Sequence, residues 1–249
     1  MQRGTSRQTL PSARAAAFVA LAAVLLAYYY VRERLPAPPL WFDVAFAAIV
    51  LIPAVLLLVW IALPLRRAGD ALLAAAAAGA VLAFALDRLD QHVLSNFVKL
   101  GLVTALGWWV LRFFEEVSWA VLIAAIIPVV DSISVWRGPT HHIVTHNENV
   151  FSALSFAFPV PGKYRPGVGA FHLGLPDLLF FALFLGAAAR WRLRAFWTWV
   201  GMAASFGLTL TLAKVFDVDG LPALPLLSAG FLLPNADLLW TRLRRPVRA

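Results

Sequence analysis

Long apolar stretches separated by short polar segments make up most of the chain. A helix needs about 20 apolar residues to cross the hydrocarbon core of a bilayer, and eight stretches come near that length. The predicted spans are residues 13–31, 41–65, 71–86, 97–111, 117–136, 172–189, 195–216 and 221–240. The pattern therefore predicts an all-α fold, a polytopic transmembrane helical bundle of about eight spans.

The composition agrees with this prediction. Hydrophobic residues make up 61% of the chain and charged residues 14%, whereas a soluble domain carries about 25% charged residues. We therefore expect the lipid bilayer to be a partner of the protein. The absence of Cys excludes disulfides, thiolate nucleophiles and Cys-ligated metals. The net charge of +8 comes from short clusters at helix ends, so we expect no nucleic-acid binding.

The basic residues also predict an orientation. Cytoplasmic loops of membrane proteins carry an excess of Lys and Arg. With the N-terminus in the cytoplasm, 13 of the 21 Lys and Arg residues fall in inner segments. We therefore expect a multi-pass protein with both termini cytoplasmic. The short loops and the absence of sorting motifs point to a prokaryotic plasma membrane.

Two halves can be distinguished along the chain. Residues 1–116 hold about four N-terminal spans, and residues 117–249 hold the spans that carry the candidate chemistry. The second half contains one long polar connection, residues 137–171, on the predicted outer side. Within it, residues 150–160 are apolar and aromatic enough to form a strand.

Three aspartates lie inside predicted spans of the second half, and Asp131 and Asp177 stand out because Asp237 is near the inner end of the last span. An acidic residue at the centre of a membrane helix costs roughly 2.5–3.5 kcal/mol on insertion scales and is a functional candidate by default. At about 1.5 Å rise per residue, Asp131 and Asp177 both lie roughly 7–8 Å below the outer face. Consecutive antiparallel helices can bring these carboxylates together, although either aspartate alone could simply reach toward the headgroups.

A close pair of carboxylates has two plausible uses. Two carboxylates in a low-dielectric site share one proton, so one can deprotonate water while the other polarises a peptide carbonyl. This is aspartyl proteolysis, which needs no cofactor. The alternative is a transporter or an ion or proton pathway. Transporters usually carry internal repeats and acids near the midplane, and neither feature is evident here.

Three short segments resemble motifs of the presenilin and signal-peptide-peptidase family of intramembrane aspartyl proteases. Residues 131–136, Asp-Ser-Ile-Ser-Val-Trp, are similar to the first aspartate motif of archaeal presenilin homologues. Residues 174–177, Gly-Leu-Pro-Asp, resemble the Gly-x-Gly-Asp motif, and residues 222–224 match the Pro-Ala-Leu motif. The segments occur in the family's order and at one predicted membrane face.

The resemblance implies a presenilin-like fold in which Asp131 and Asp177 are the catalytic pair. It implies transmembrane proteins or leftover signal peptides as substrates, with no metal and no cofactor. The residues that it places against the substrate are Gly174, Leu175, Pro176, Pro222, Ala223 and Leu224.

Two residues depart from the family pattern. Val130 replaces the tyrosine before the first aspartate, and Pro176 replaces the second glycine of the second motif. The eight predicted spans are also one fewer than in the family. These differences keep a third possibility open, a catalytically silent presenilin-like protein that binds membrane helices.

A cluster of histidines in the long connection raises the question of a metal. His141, His142 and His146 lie near Glu148, but their spacing is not the His-Glu-x-x-His of a zinc-protease helix. We therefore predict no metal site.

The same connection is also predicted to bind the substrate, because a helical substrate must unwind before cleavage. We expect strand addition, along residues 150–160 or near Pro222, to hold the substrate extended.

Overall fold

The computed structural model describes residues 12–137, 153–162, 170–218 and 221–244, which are mostly helical. The helices are α1 (Ser12–Val31), α2 (Leu40–Phe46), α3 (Ile52–Ala62), α4 (Ala71–Arg88), α5 (His92–Val110), α6 (Val117–Arg137), α7 (Leu175–Arg190), α8 (Ala195–Val215), α9 (Leu224–Leu232) and α10 (Ala236–Leu243). Between α6 and α7, the described residues form two strands, β1 (Ser155–Pro159) and β2 (Ala170–Gly174).

Within the described ranges, six helical stretches are long and apolar enough to cross a membrane. Their bounds are Ser12–Arg34, Leu40–Arg67, Ala71–Arg88, His92–Phe113, Val117–Ser134 and Ala195–Val215. This confirms the predicted class of fold, a multi-pass helical bundle. The second stretch comprises α2 and α3 joined by a π-helical turn at Ala47–Leu51. That turn lies just before Pro53, which has no N–H for a regular helical bond.

The other two predicted spans correspond to shorter helices. Helix α7 has 16 residues, and a 3₁₀ turn at Leu233–Asn235 separates α9 from α10. Pro234 lies in this turn, and its missing N–H prevents a continuous helical ladder. The prediction of one unbroken helix over residues 221–240 was therefore wrong.

Glycines allow two pairs of helices to pack closely. A Cβ atom on Gly201 of α8 would lie 2.7 Å from the carbonyl oxygen of Gly230 in α9. A Cβ atom on Gly107 of α5 would lie 2.7 Å from the carbonyl oxygen of Leu179 in α7. Small residues at helix contacts are typical of membrane bundles. Helices α7, α8 and α9 form the centre of the bundle. Their fully buried rings are Phe181, Phe184, Phe206 and Phe231.

An antiparallel hairpin precedes α7. Ser155 of β1 pairs with Gly174 of β2, and Pro159 pairs with Ala170. The strand predicted within residues 150–160 is confirmed. The prediction that the sixth span begins at residue 172 was wrong, because residues 170–174 pair with β1 and the helix begins at Leu175.

The outer edge of β1 is covered by side chains of the N-terminal helices. Asn96 of α5 donates to the Ala157 carbonyl (2.8 Å) and accepts from the Ala157 N–H (2.9 Å). From α1, Tyr29 donates to the same carbonyl and Tyr28 donates to the carbonyl of Pro159. An added strand cannot use this edge at Ala157, which corrects the expectation that residues 150–160 offer a docking edge there.

A buried amide joins α8 to the chain that follows α9. Asn235 accepts from the Arg194 N–H at 2.8 Å and donates to Thr198 Oγ1 at 2.7 Å. Beside it, the Arg194 guanidinium donates to both carboxylate oxygens of Asp237. This network fixes the start of α8 against the turn between α9 and α10.

Candidate active site

Helix α6 carries the first candidate catalytic residue near its C-terminal end. Asp131 is partly buried and lies six residues before the end of the helix at Arg137. Pro128, one turn earlier, has no N–H, so the carbonyl of Ala124 lacks its regular helical donor. Ser132 donates its hydroxyl back to the Pro128 carbonyl at 2.7 Å.

The second candidate lies where β2 runs directly into α7. Gly174 is the N-cap, Leu175 and Pro176 are the first two helical residues, and Asp177 is the third. The Gly174 N–H donates to the Asp177 carboxylate, as an acidic side chain at this position does in a capping box. Asp177 therefore also stabilises the start of its helix.

Gly174 lies close to this carboxylate. A Cβ atom on Gly174 would lie 3.0 Å from Asp177 Oδ2, closer than an ordinary van der Waals contact. The backbone of Gly174 has φ −60°, a conformation open to any residue. The absence of a side chain, and not backbone freedom, is what the position needs.

The third motif lies at the start of α9. Pro222 and Ala223 precede the helix, and Leu224 is its first residue. The Leu224 N–H donates to Asp131 Oδ2 at 3.0 Å. The first N–H groups of a helix have no intrahelical acceptor and carry partial positive charge, so they suit a carboxylate. Pro225, the next residue, has no N–H to contribute.

The structure brings the two aspartates and the third motif together. Helix α6 packs against both α7 and α9, and Asp177 lies within electrostatic range of Asp131. Both side chains are partly buried. Each carboxylate receives one backbone N–H, from Leu224 or from Gly174. A carboxylate pair of this kind can hold a shared proton and activate a water molecule.

The remaining motif residues frame this pair. The Leu175 N–H donates to the Leu154 carbonyl at 2.9 Å, which continues the hairpin into the helix. Ala223 is buried, Leu175 and Pro222 are partly buried, and Pro176 is exposed. Proline at the second position of a helix loses no intrahelical bond, so Pro176 fits the fold without strain.

A histidine of the hairpin lies close to the motif. The Nδ1 atom of His172 and the Ser155 hydroxyl are 3.0 Å apart. Partial desolvation of the ring and the nearby Lys99 ammonium hold the pKa of the His172 imidazole below its usual value, while the residue keeps part of its surface exposed. The neutral ring is therefore the form that the folded hairpin favours.

No metal site is predicted at the histidine cluster of the long connection. His141, His142, His146 and Glu148 lie outside the described residues. Among the residues that are described, no group of three His, Cys, Asp or Glu side chains is placed to hold a metal ion.

Residues that support the site were missed by the sequence interpretation. Asn96, Tyr28 and Tyr29 hold β1, and through β1 they position β2 and the start of α7. The available signal was Asn96, an amide within an apolar helix, because a polar side chain in such a helix must find a partner.

No protein-family model matches the chain, and no curated protein matches its sequence. The fold is that of a multi-pass helical membrane protein.

Proposed function

We propose that the protein is an intramembrane aspartyl protease of the presenilin and signal-peptide-peptidase kind, with about eight spans. Asp131 and Asp177 hydrolyse peptide bonds within transmembrane segments or leftover signal peptides. The observation that supports this proposal best is the 3.0 Å bond from the Leu224 N–H to Asp131, beside Asp177. It links the Pro-Ala-Leu motif to the first aspartate, and the second motif lies next to both.

In the proposed reaction, the carboxylate pair starts with one proton. The ionised carboxylate takes a proton from water while the water oxygen attacks the carbonyl carbon of the substrate. The protonated carboxyl group gives its proton to the carbonyl oxygen, so a neutral gem-diol forms without a covalent enzyme intermediate. As the C–N bond breaks, the protonated carboxyl group gives its proton to the amine nitrogen, and the ionised carboxylate takes a proton from one gem-diol hydroxyl. The new carboxyl group is released, and the pair again holds one proton.

The hairpin gives a route by which an extended substrate reaches the pair. β2 ends at Gly174, three residues before Asp177. A substrate segment aligned along β2, on the side away from β1, would run toward the two aspartates. Main-chain pairing of this type binds peptides largely independently of their sequence. This placement replaces the covered outer edge of β1 as the proposed docking edge.

The proposed orientation has both termini in the cytoplasm of a prokaryotic plasma membrane. The pair then lies near the outer face, as the distribution of arginines predicts. A reporter fused after Ala249 tests this directly. Cytoplasmic reporter activity is expected, and periplasmic activity would reverse the orientation.

The function is tested by cleavage of a fluorogenic single-span substrate by the purified protein in detergent. Asp131→Asn and Asp177→Asn keep an amide oxygen that can accept the same backbone N–H, so the fold is expected to persist. Each variant should lose turnover by at least about 1,000-fold, because neither step of proton transfer can proceed. Mass spectrometry of the products locates the cleaved bond.

Asp217→Asn is the matched control. Asp217 is exposed just after α8 with φ 51°, a conformation that Asn accepts well. It should retain full turnover. A folded wild-type protein that cleaves no substrate in a broad panel would contradict the proposal. Uptake assays with the same variants would then separate a transporter from a silent helix-binding protein.

A further inference from the structure

A second polar feature lies at the opposite end of the bundle from the two aspartates. A partly open cavity of about 400 Å³ is formed where α3, α5 and α7 end, within the usual range for ligand pockets. We name it the arginine cavity. Its lining residues are Arg66, Arg67, Trp108, Leu111, Arg112 and Arg190.

The positive charge of the arginine cavity is mostly uncompensated. Arg112 pairs with Asp70 at 2.5 Å. For Arg66, Arg67 and Arg190, no carboxylate within the described residues lies within 4.0 Å. Two different helical stretches therefore contribute three guanidinium groups to one small space. No carboxylate of the described residues balances their charge.

Backbone carbonyls hold two of these side chains in place. Arg66 donates to the carbonyls of Leu63 (3.1 Å) and Ala189 (3.5 Å), and Arg190 donates to the Leu111 carbonyl (2.6 Å). These neutral acceptors orient the guanidinium groups but leave their charge unbalanced. A guanidinium has five N–H donors, so each group retains donors for a ligand.

We propose that the arginine cavity binds the phosphate of an anionic phospholipid headgroup. Guanidinium groups match phosphate oxygens in charge and in fork geometry. The cavity lies at the ends of the apolar stretches Leu40–Arg67 and His92–Phe113, where a membrane span meets the headgroups, and Trp108 and Leu111 give it an apolar wall. Basic pockets between membrane helices are typical sites for such headgroups.

Binding would have a structural consequence for the bundle. A phosphate in the arginine cavity offsets the mutual repulsion of Arg66, Arg67 and Arg190, so it draws together the ends of α3, α5 and α7. Because the ligand binds the folded state, it stabilises that state, and the stabilisation grows with the logarithm of the ligand concentration once that concentration exceeds Kd. The proposal does not depend on the proposed protease function, since lipid binding requires no catalysis.

The test measures lipid affinity of the full chain in a neutral detergent by thermal unfolding. Phosphatidylglycerol and phosphatidylcholine with identical acyl chains are titrated separately. The wild type is expected to bind phosphatidylglycerol about tenfold more tightly. The double variant Arg67→Gln/Arg190→Gln should lose that preference, because it removes two of the guanidinium groups that would pair with the phosphate.

Arg192→Gln/Arg244→Gln removes the same charge at the same end of the bundle but outside the cavity, and it should keep the preference. If the double variant does not fold, the exposed Arg67→Gln alone is used, with a loss of about fivefold expected. An equal preference in the cavity variant and the wild type would overturn the proposal.

Inorganic phosphate is titrated in parallel. Stabilisation by phosphate alone, with no preference between the lipids, would overturn the assignment to a lipid and leave a soluble phosphate as the ligand.

Discussion

The Leu224 N–H and Asp131 Oδ2 are joined by a hydrogen bond of 3.0 Å. A backbone donor at the start of α9 thus fixes a carboxylate on α6, although the two residues are 93 positions apart in the chain. The bond explains why a motif without reactive side chains can matter to a carboxylate pair.

The first prediction concerns this bond. Replacing Leu224 by its α-hydroxy acid turns the N–H into an ester oxygen and leaves the side chain unchanged. Turnover should fall at least about tenfold, because a hydrogen bond to a charged group contributes roughly 1.5–3 kcal/mol. The same ester at Leu226, in the same helical turn, should have little effect. Equal losses at both positions would assign the effect to the helix start and not to Asp131.

The second prediction concerns the space beside Asp177. Gly174→Ala places a methyl group 3.0 Å from Asp177 Oδ2, so the carboxylate must move. We expect turnover to fall about tenfold, because small displacements of catalytic groups are costly. The free energy of unfolding should change by less than roughly 1 kcal/mol, since φ −60° suits alanine.

Gly101→Ala is the control for this substitution. A Cβ atom on Gly101 of α5 meets nothing within 4 Å, so both turnover and stability should be retained. Unchanged turnover in Gly174→Ala would show that the position of Asp177 does not limit the reaction.

The third prediction concerns the departure from the Gly-x-Gly-Asp pattern. Pro176→Gly restores the glycine of the family at the second residue of α7. Turnover should stay within about threefold, since the exposed proline costs the helix no hydrogen bond. Thermal unfolding should show a loss of roughly 0.4–1 kcal/mol, because glycine gives the unfolded chain more freedom. An inactive wild type that gains turnover in this variant would instead identify Pro176 as the cause of a silent site.

The fourth prediction concerns the pH dependence of stability. The pKa of His172 is lowered in the folded protein by partial desolvation and by Lys99. In the unfolded chain it returns to about 6.5, so the unfolded state binds more protons below that pH. Stability attributable to this histidine is therefore present at neutral pH and decreases as the pH falls below about 6.5.

The measurement compares melting temperatures at about pH 7.5 and about pH 5.5. The decrease on acidification should be smaller in His172→Gln than in the wild type. The same decrease in both proteins would contradict the assignment to His172. The comparison between variants separates this histidine from other groups that titrate over the same range.

Much of the helical bundle was predictable from the sequence. The lengths of the apolar stretches gave the first five spans with bounds close to those of the structure, because membrane-spanning helices are defined by local composition. The proximity of Asp131 and Asp177 followed from their positions near facing ends of consecutive helices. These two features depend on helix geometry alone.

The hairpin and the hydrogen bonds around it were not predictable in the same way. Residues 170–174 are apolar and continue into a helix, so the local pattern does not separate strand from helix. The contact of Asn96 with Ala157 joins residues 61 positions apart. The donor to Asp131 is a backbone N–H, which every residue except proline carries, so Leu224 has no distinguishing side-chain chemistry.

The arginines show how one pattern can have two meanings. In the sequence, Arg66, Arg67, Arg112 and Arg190 serve only to indicate orientation. Their assembly around one cavity depends on how α3, α5 and α7 pack, which the positions of basic residues along the chain do not specify.

The most direct test of the carboxylate pair is the binding of a substrate-like peptide in which a hydroxyl-bearing tetrahedral group replaces one peptide bond. Such a group mimics the gem-diol, and transition-state analogues bind at least about 100-fold more tightly than the matching substrate. We expect this gain in affinity for the wild type and for Asp217→Asn, and its loss in Asp131→Asn and in Asp177→Asn. Equal affinity of the analogue for all four proteins would contradict it.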